Sequence, residues 1–475
     1  MKKTIVKFIA IILVLCMTLP IASSATSVNS ISRVSVTING DATTSRGFCW
    51  YTDSKAGTDV QVASIWADLE EAEIISGTSY KSMSKFVHKA IVDNLTPGRK
   101  YQYRVGDSAT GIWSDVGYFT TPSEENDRAN FIVYADVQAS NDENFKMAAN
   151  VLKEAVNTMP YYEFAINLGD FVNDCTNEEW DSYFSNFAFM NMNTTLIPVA
   201  GNHEGNLQWN KFNNMFNIGA VEGSPTITGC YYSFDWGDAH FAVLNTNDMY
   251  PMSVAQINWL KNDMNSSDAQ WKIVLMHRAL YSAGKNINKP DTVIMRNNLL
   301  PVIDELGIDV VFAGHDHMYF RSETVKGEEV QSVQTVTEFW NGEISTFAVN
   351  PDGTTHILPS TAGTKRYSVN EDAMPPILDS AALARDTHDG GVFATVSLDN
   401  NHFVYKAYMV DDETGEKTLI DSYAIKKTDR EAVNENYNEL PTDIGSTLED
   451  QADATAIQVV KMMDSYLKLL HKRFN

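Results

Sequence analysis

The sequence predicts a multidomain protein, in which an all-β sandwich is followed by a layered α/β domain and a C-terminal helix. Three observations lead to this fold class. Short β-rich runs separated by turn residues fill residues 26–123, apolar runs alternate with helical segments over residues 128–426, and an amphipathic pattern follows from residue 427. The length of 475 residues is typical of about three domains.

Composition and the first residues indicate the class of protein and its location. Hydrophobic residues make up 44% and charged residues 20%, as in soluble globular proteins, and a net charge of -25 disfavours nucleic acid or anionic membrane as the main partner. A secretory signal peptide is predicted over residues 1–25, where lysines precede an apolar run and small residues; an uncleaved anchor is the alternative. We therefore expect a secreted or cell-surface protein without a membrane span after signal removal.

Each part of the fold has its own pattern. The β-rich part contains ISRVSVTIN, SRGFCWYT, FVHKAIVDNL, TPGRKYQYRVGD and WSDVGYFTTP, and the polar SEENDRAN closes it. The α/β part has five buried strands, predicted at NFIVYADV, YEFAINLGD, TLIPVAGNHE, WKIVLMHR and IDVVFAGHDH, with helices at NFKMAANVLKEAV and VAQINWLKNDM between them. FATVSLDNNHFVYKAYMV predicts a late hairpin.

Two further features concern the tail and the cysteines. Residues 427–475 read as a solvated connector followed by an amphipathic helix whose apolar positions recur every three or four residues. After the signal, the cysteines are Cys49, Cys175 and Cys230; since three is an odd number, at most one disulfide is expected.

A polar residue follows each of the five predicted strands, and these residues are the candidate site. They are Asp136, Asp170, Asn202 with His203, His277, and His315 with His317. Because the carboxyl ends of strands in α/β sheets form the usual ligand crevice, we expect these side chains to converge. Each one alone is equally compatible with a turn, a helix cap or a core histidine, and the ordered set is what favours a site.

The types of side chain indicate metal chemistry. Carboxylate, amide and imidazole groups without thiolates suit zinc, iron or manganese, and resemble a two-metal hydrolytic centre. We expect His315 and His317 to point the same way and Asp316 to point away, because side chains alternate along an extended strand.

The blocks ADVQ, GDFVND, GNHE, VLMH and GHDH, in this order, resemble the metallophosphoesterase (calcineurin-like) superfamily. HKAIVDNLTPGRKYQYRVGD resembles the fibronectin type III-like N-terminal domain of purple acid phosphatases, and YYSFDWGDAHFAVLNT resembles their catalytic domain. The resemblance covers about residues 30–425 and implies a four-layer α/β sandwich, two metal ions and attack on phosphorus by metal-bound hydroxide.

The resemblance also implies a role for each block. Asp170 would bridge the two metals, Asp136 and His317 would hold the first, and Asn202, His277 and His315 would hold the second. His203 would lie beside the substrate and act as the catalytic residue that steadies phosphate oxygens or protonates the leaving group.

Two positions depart from the family pattern. Asn173 stands where purple acid phosphatases carry the tyrosine whose phenolate binds ferric iron, and Gln138 stands where the wider superfamily carries a histidine. We expect Gln138 to be a weak metal ligand or to orient water, and two divalent ions (Fe, Mn or Zn) without a ferric-phenolate colour. Arg278 is a possible phosphate contact, with an exposed or structurally paired arginine as the equal alternative.

The predicted function is a secreted acid phosphatase-like enzyme that hydrolyses small phosphate monoesters. Two alternatives stay open: a phosphodiesterase or nucleotidase with the same metal centre, and a surface binding protein with a degenerate site.

Overall fold

The computed structural model describes residues 30–82, 84–123, 128–205, 210–221, 230–247, 253–327, 329–370 and 382–428. The predicted signal peptide lies outside these residues, and so does the predicted C-terminal helix. The described residues up to Lys427 belong to one compact unit. No helix in these ranges is long and apolar enough to span a membrane.

The N-terminal part is a β sandwich, as expected. Its strands are β1 (Ile31–Thr37), β2 (Arg46–Thr52), β3 (Asp59–Ser64), β4 (Ile74–Ser76), β5 (Thr78–Ser82), β6 (Lys85–Val92), β7 (Lys100–Asp107), β8 (Ile112–Trp113) and β9 (Gly117–Thr120). One sheet has the order β4-β3-β7-β8, with β9 also paired to β7, and β1-β2-β6-β5 form the other face. Phe48, Trp50, Tyr103 and Phe119 fill the core between the faces, since alternate side chains of each strand point inward.

The α/β part contains all five predicted buried strands, the late hairpin and both predicted helices. Its strands are β10 (Ala129–Tyr134), β11 (Phe164–Asn167), β12 (Thr195–Pro198), β13 (Tyr232–Trp236), β14 (Ala239–Val243), β15 (Trp271–Arg278), β16 (Val310–Gly314), β17 (Tyr319–Ser322), β18 (Val325–Lys326), β19 (Glu329–Val330), β20 (Gln334–Trp340), β21 (Glu343–Val349), β22 (Thr355–Pro359), β23 (Ala382–Arg385), β24 (Gly390–Leu398), β25 (His402–Asp411) and β26 (Lys417–Lys426). Its helices are α1 (Asp142–Thr158), α2 (Asn177–Asn186), α3 (Ala188–Asn191), α4 (Asn202–Gly205), α5 (Asn210–Met215), α6 (Val254–Ser266) and α7 (Pro290–Leu306).

Two sheets pack face to face between helices, which confirms the four-layer sandwich. The first sheet runs β20-β21-β26-β25-β24-β10-β11-β12 and continues into β1-β2-β6-β5, and the second runs β13-β14-β15-β16-β22-β17-β23. Aromatic residues such as Phe131, Phe164 and Phe241 fill the space between the sheets. Helices α1 and α2 cover the first sheet, and α6 and α7 cover the second. The central strands are apolar on both faces because both faces are buried.

The N-terminal sandwich is joined to the α/β part through shared backbone pairing and buried arginines. Strand β1 pairs in parallel with β12. The Arg46 guanidinium is fully buried and donates to the carbonyl of Thr120 and the hydroxyl of Thr195, while Arg33 forms a 2.7 Å ion pair with Asp181. These contacts satisfy guanidinium donors that would otherwise be buried without partners.

The cysteines contribute no disulfide among the described residues. Cys49, Cys175 and Cys230 are all buried as thiols. The fold is therefore held by its hydrophobic layers and hydrogen-bonded sheets.

Candidate metal centre

The two sheets present their strand ends to the same place. Asp136 and Asp170 follow β10 and β11 of the first sheet, and Asn202 begins α4 after β12. In the second sheet, His277 is the penultimate residue of β15, and His315 directly follows β16. The convergence expected from the sequence thus uses two facing sheets rather than one.

Two groups of side chains have the spacing of metal ligands, and they share one carboxylate. One ligand atom from each of Asp136, Asp170 and His317 lies within 4.8 Å of the others, and the same is true of Asp170, His277 and His315. Asn202 adjoins the second group, with Oδ1 at 3.0 Å from His277 Nε2. The shared Asp170 is what a bridging position between two ions requires.

The charges of the centre fit two cations. Asp136 and Asp170 are fully buried, and no lysine or arginine among the described residues lies within ion-pair distance of either carboxylate. Their partners are backbone amides, from His315 to Asp136 and from His203 to Asp170, both at 2.9 Å, and imidazoles at 3.3 Å, from His317 to Asp136 and from His277 to Asp170. His315 Nε2 is buried and has no hydrogen-bond partner. Buried carboxylates and an unpartnered imidazole nitrogen are unfavourable unless a metal takes them up.

The protonation states of Asp170 and His315 favour ligation. Burial acts to raise the pKa of Asp170, but the neighbouring His277 and His203 more than offset it and bring the pKa well below its usual range. Burial, followed by the charges of His277 and Arg278, lowers the pKa of His315 well below its ordinary value. An ionised carboxylate and a neutral imidazole are the forms that bind metals.

Carbonyl oxygens orient two of the histidine rings. His277 Nδ1 lies 2.9 Å from the Leu168 carbonyl oxygen, and His317 Nδ1 lies 2.5 Å from that of Lys365. When each Nδ1–H donates to its carbonyl, the lone pair of Nε2 faces the cluster.

Three of the candidate ligands have left-handed backbone, which corrects the expected geometry of the fifth block. The φ angles are 53° at Asp136, 53° at Asp170 and 73° at His315. Strand β16 ends at Gly314, so His315 and His317 reach the centre from a turn and not by alternation along a strand. Left-handed backbone is uncommon outside glycine and clusters at functional sites.

Gly314 is required for space beside the Asp136 carboxylate. A Cβ at this position would lie 2.7 Å from Asp136 Oδ2. The left-handed residue is the next one, His315, whose amide donates to the same carboxylate oxygen at 2.9 Å. The fifth block therefore holds Asp136 through main-chain contact as well as through His317.

Glu204 fastens the two loops that carry the bridging group and Asn202. Its fully buried carboxylate accepts amide protons from Asp170 at 2.9 Å and Gly201 at 3.0 Å through one oxygen. The other oxygen accepts from Phe171 at 2.9 Å and Val172 at 3.4 Å. Burial and the charge of Asp170 act to raise the pKa of Glu204, whereas the charge of His277 and the amides of Gly201 and Val172 act to lower it, and four donated amide protons are best satisfied by the ionised carboxylate. The sequence did not identify Glu204 as a functional residue, because hydrogen bonds from backbone amides leave no sequence pattern.

The catalytic candidate, His203, lies at the edge of the centre. Its Nε2 is 3.9 Å from Asp170 Oδ2, its side chain is 23% exposed, and its Nδ1 contacts the Asn173 carbonyl oxygen. Gln138 lies beside it with its amide nitrogen against His203 Nε2, and Gln138 Oε1 is buried without a hydrogen-bond partner. This orphaned oxygen is consistent with the predicted ligand or water-orienting role.

Two further sequence candidates lie near the centre without joining either group of ligands. The Asn173 amide donates to Asp174 at 2.8 Å, and only its carbonyl reaches the site, through His203. Arg278 is mostly buried with Nη1 at 3.4 Å from Asp291, which is the structural pairing weighed as the alternative to phosphate binding.

Comparisons with known proteins agree with this architecture. Residues 129–319 match the model described as calcineurin-like phosphoesterase, and residues 31–121 match the purple acid phosphatase N-terminal domain. Purple acid phosphatase 23 of Arabidopsis thaliana is 25% identical over 270 residues, which cover 50% of this chain and 58% of that protein. Fe(3+)-Zn(2+) purple acid phosphatase 12 of the same plant is 24% identical over 303 residues, which cover 58% of this chain and 61% of that protein. The alignments span less than two thirds of the length of these relatives.

A solved structure shares the fold. Purple acid phosphatase PPD1 from yellow lupin (Lupinus luteus) seeds superimposes with a TM-score of 0.69 at 16% identity, covering 84% of this chain and 75% of that one. A helix–sheet–sheet–helix sandwich with two Asp/His groups at one edge defines a metallophosphoesterase. The chain carries a calcineurin-like phosphoesterase domain preceded by a purple acid phosphatase N-terminal domain, and its relatives are purple acid phosphatases.

Proposed function

We propose that this protein is a secreted, dinuclear-metal phosphoesterase that hydrolyses phosphate monoesters. The observation that carries the proposal is the pair of ligand groups that share Asp170. The site residues proposed for the metals are Asp136, Asp170, Asn202, His277, His315 and His317. Two divalent ions, chosen among iron, manganese and zinc, suit this oxygen and nitrogen donor set.

When bound, the metals would polarise the phosphoryl oxygens and supply hydroxide from water near neutral pH. The chain's own residues set the geometry for this chemistry. Asp170 holds its carboxylate between the two groups, and the carbonyl contacts of His277 and His317 keep their Nε2 atoms directed at the cluster. Two carboxylates against two divalent ions leave an excess of about two positive charges, which attracts a phosphate dianion despite the acidic exterior.

His203 is the proposed proton donor. With Nδ1–H donated to the Asn173 carbonyl, Nε2 is the nitrogen that faces the cleft beside Asp170. A proton on Nε2 can pass to the leaving oxygen as its bond to phosphorus breaks, so that the alcohol departs neutral. The Gln138 amide group lies next to Nε2; because an NH₂ group cannot face a protonated Nε2, this amide must present its oxygen to the ring when His203 carries the proton.

Metal analysis paired with two chromogenic substrates tests the proposal. Protein loaded with manganese, zinc or iron is expected to hold two ions per chain and to turn over p-nitrophenyl phosphate faster than bis(p-nitrophenyl) phosphate. Asp170→Asn should lower kcat/KM by about 100-fold or more and reduce the metal content, since it removes the shared ligand. Asp309→Asn is the matched control, because Asp309 is a buried carboxylate at the opposite end of β16 that pairs with Lys427.

The outcomes separate the competing functions. Faster turnover of the diester would replace the monoesterase by a phosphodiesterase with the same centre. A protein that holds no metal and cleaves neither ester would be a binding protein with a degenerate site, and the proposal would fail.

A further inference from the structure

A tyrosine and two lysines form a wall beside the candidate metal ligand His317. The Tyr367 ring stacks on the His317 imidazole, with centroids 4.6 Å apart and planes inclined by 20°. The Lys285 ammonium lies 3.7 Å from the centroid of Tyr367, and the Lys365 ammonium lies 6.0 Å from it. We call Lys285, Tyr367 and Lys365 the cationic column.

The backbone of the column is tied to the fifth sequence block. The Tyr367 amide donates to the His317 carbonyl at 3.0 Å, and the Lys365 carbonyl oxygen is the partner of His317 Nδ1. On the other side, Asp316 fixes the loop that carries Lys285. The Asn286 amide donates to Asp316, and a Cβ on Gly284 would lie 2.6 Å from Asp316 Cγ. Asp316 has no place among the metal ligands, and its role is to anchor this loop.

The column concentrates positive charge that the protein leaves uncompensated. Among the described residues, no carboxylate lies within ion-pair distance of Lys285 or Lys365, although the chain has 61 acidic and 36 basic residues. Other lysines, such as Lys261 and Lys326, do pair with carboxylates. Contact with one aromatic ring stabilises an exposed ammonium by only about 0.5–1 kcal/mol. Two exposed ammonium groups beside the same ring therefore have unused capacity to attract an anion placed between them.

We propose that the cationic column binds a second anionic group of the substrate, one carried by the leaving group. The preferred substrates are then phosphate esters or anhydrides whose leaving group bears a phosphate or carboxylate. This inference rests on the proposed phosphoesterase function, because it places the scissile phosphate at the metals and the second anion at the column. Both lysines are solvent exposed, so a ligand can reach them.

Binding of two non-hydrolysable phosphonates tests the column separately from catalysis. Metal-loaded protein is titrated by calorimetry with phenylphosphonate and with 4-carboxyphenylphosphonate, which differ only in the second anionic group. The carboxylated ligand is expected to bind more tightly by about fivefold for each lysine that it contacts. Lys285→Met should remove about fivefold of that advantage and leave the affinity for phenylphosphonate within twofold.

Three variants complete the experiment. Lys289→Met is the matched control, because Lys289 is another exposed lysine of the same loop and has no place in the column. Lys285→Arg should restore most of the advantage, and Lys285→Met combined with Lys365→Met should abolish it. The same variants are then assayed with inorganic pyrophosphate, 4-carboxyphenyl phosphate and phenyl phosphate as substrates. For the first two substrates, the lysine-to-methionine changes should raise KM with little change in kcat, and for phenyl phosphate they should change neither.

The results distinguish this inference from the function beneath it. Equal affinity of the wild-type protein for the two phosphonates, an unchanged preference in the double variant, or no binding of either ligand would overturn the column. If the protein hydrolyses phenyl phosphate but shows no preference for the doubly anionic ligands and substrates, only the role proposed for the column is refuted. If the protein hydrolyses no ester but keeps the binding preference, the column is an anion-binding site and the proposed phosphoesterase function is refuted.

Discussion

Replacing Glu204 by glutamine tests whether a buried carboxylate, rather than the metal ligands alone, holds the bridging aspartate in its left-handed conformation. Glutamine has nearly the same shape but offers one acceptor oxygen, and its amide nitrogen can only donate. Glu204 accepts four backbone amides, two through each oxygen. The variant can therefore satisfy one pair of amides and must leave the other pair facing an NH₂ group.

The size of the effect follows from those amides. A buried donor that loses its acceptor costs about 1–3 kcal/mol, and the 3.4 Å contact to Val172 belongs at the low end. Two such losses amount to about 2–4 kcal/mol on the conformation of the loops around Asp170. If this whole cost falls on metal binding, the affinity of the protein for an ion held by the shared ligand Asp170 drops by about 30-fold to 1,000-fold.

Manganese titration followed by electron paramagnetic resonance measures this directly, because two ions that share a carboxylate are magnetically coupled and a single ion is not. Wild-type protein should bind two coupled ions, and Glu204→Gln should bind one tightly and the second weakly. Glu163→Gln is the control, since Glu163 also accepts a backbone amide, from Asn130 at 2.9 Å, but lies at the start of β11, away from the centre. It should lose stability without any change in stoichiometry.

One result would refute the reasoning. If Glu204→Gln bound two coupled ions with wild-type affinity and kept kcat within twofold, the carboxylate would have no positioning role. The left-handed Asp170 would then be held by the rest of the fold.

Three other predictions follow from the structure. His240 lies 2.7 Å from Asp235 and 2.9 Å from Asp263; burial lowers its pKa, but the two carboxylates raise it from 6.5 to about 9. The protonated ring therefore contributes about 2–3 kcal/mol to the free energy of unfolding. This contribution is complete below pH 6.5 and is lost as the pH rises to 9. Urea unfolding should show this pH dependence in wild-type protein and not in His240→Gln. Gly314→Ala should displace the Asp136 carboxylate and cost one metal ion per chain, with an unchanged circular dichroism spectrum, and a retained second ion would contradict this. Iron-loaded protein should lack a visible phenolate charge-transfer band, which absorption spectroscopy would reveal if present.

The sequence predicted the elements better than their arrangement. Strands such as β10, β15 and β16 are apolar on both faces, and such runs are recognisable without a structure. Their division between two facing sheets is not, because it depends on which strands pair across long stretches of chain. The same limit hid the pairing of β1 with β12, which makes one sheet of strands from both parts of the protein.

The candidate site shows a similar division. The residue types and their order were enough to select the side chains that the structure brings together, since strand ends converge in α/β folds. The sequence interpretation was wrong in assuming an extended backbone at His315, because the φ of 73° there depends on tertiary contacts. Glu204 and Tyr367 were missed because they act through main-chain amides and ring stacking, which leave no spacing pattern.

Residues 315–317 serve both metal binding and, through the cationic column, the proposed substrate selection. A substitution at Asp316 tests these two roles separately. Both histidines belong to ligand groups, whereas the Asp316 carboxylate faces Asn286 and Gly284 of the loop that carries Lys285. Asp316→Asn removes one acceptor from that loop, so metal content should stay at two ions while the preference for 4-carboxyphenylphosphonate over phenylphosphonate falls. Loss of a metal ion with the preference retained would show instead that Asp316 supports its histidine neighbours, and that Lys285 is held by Tyr367 alone.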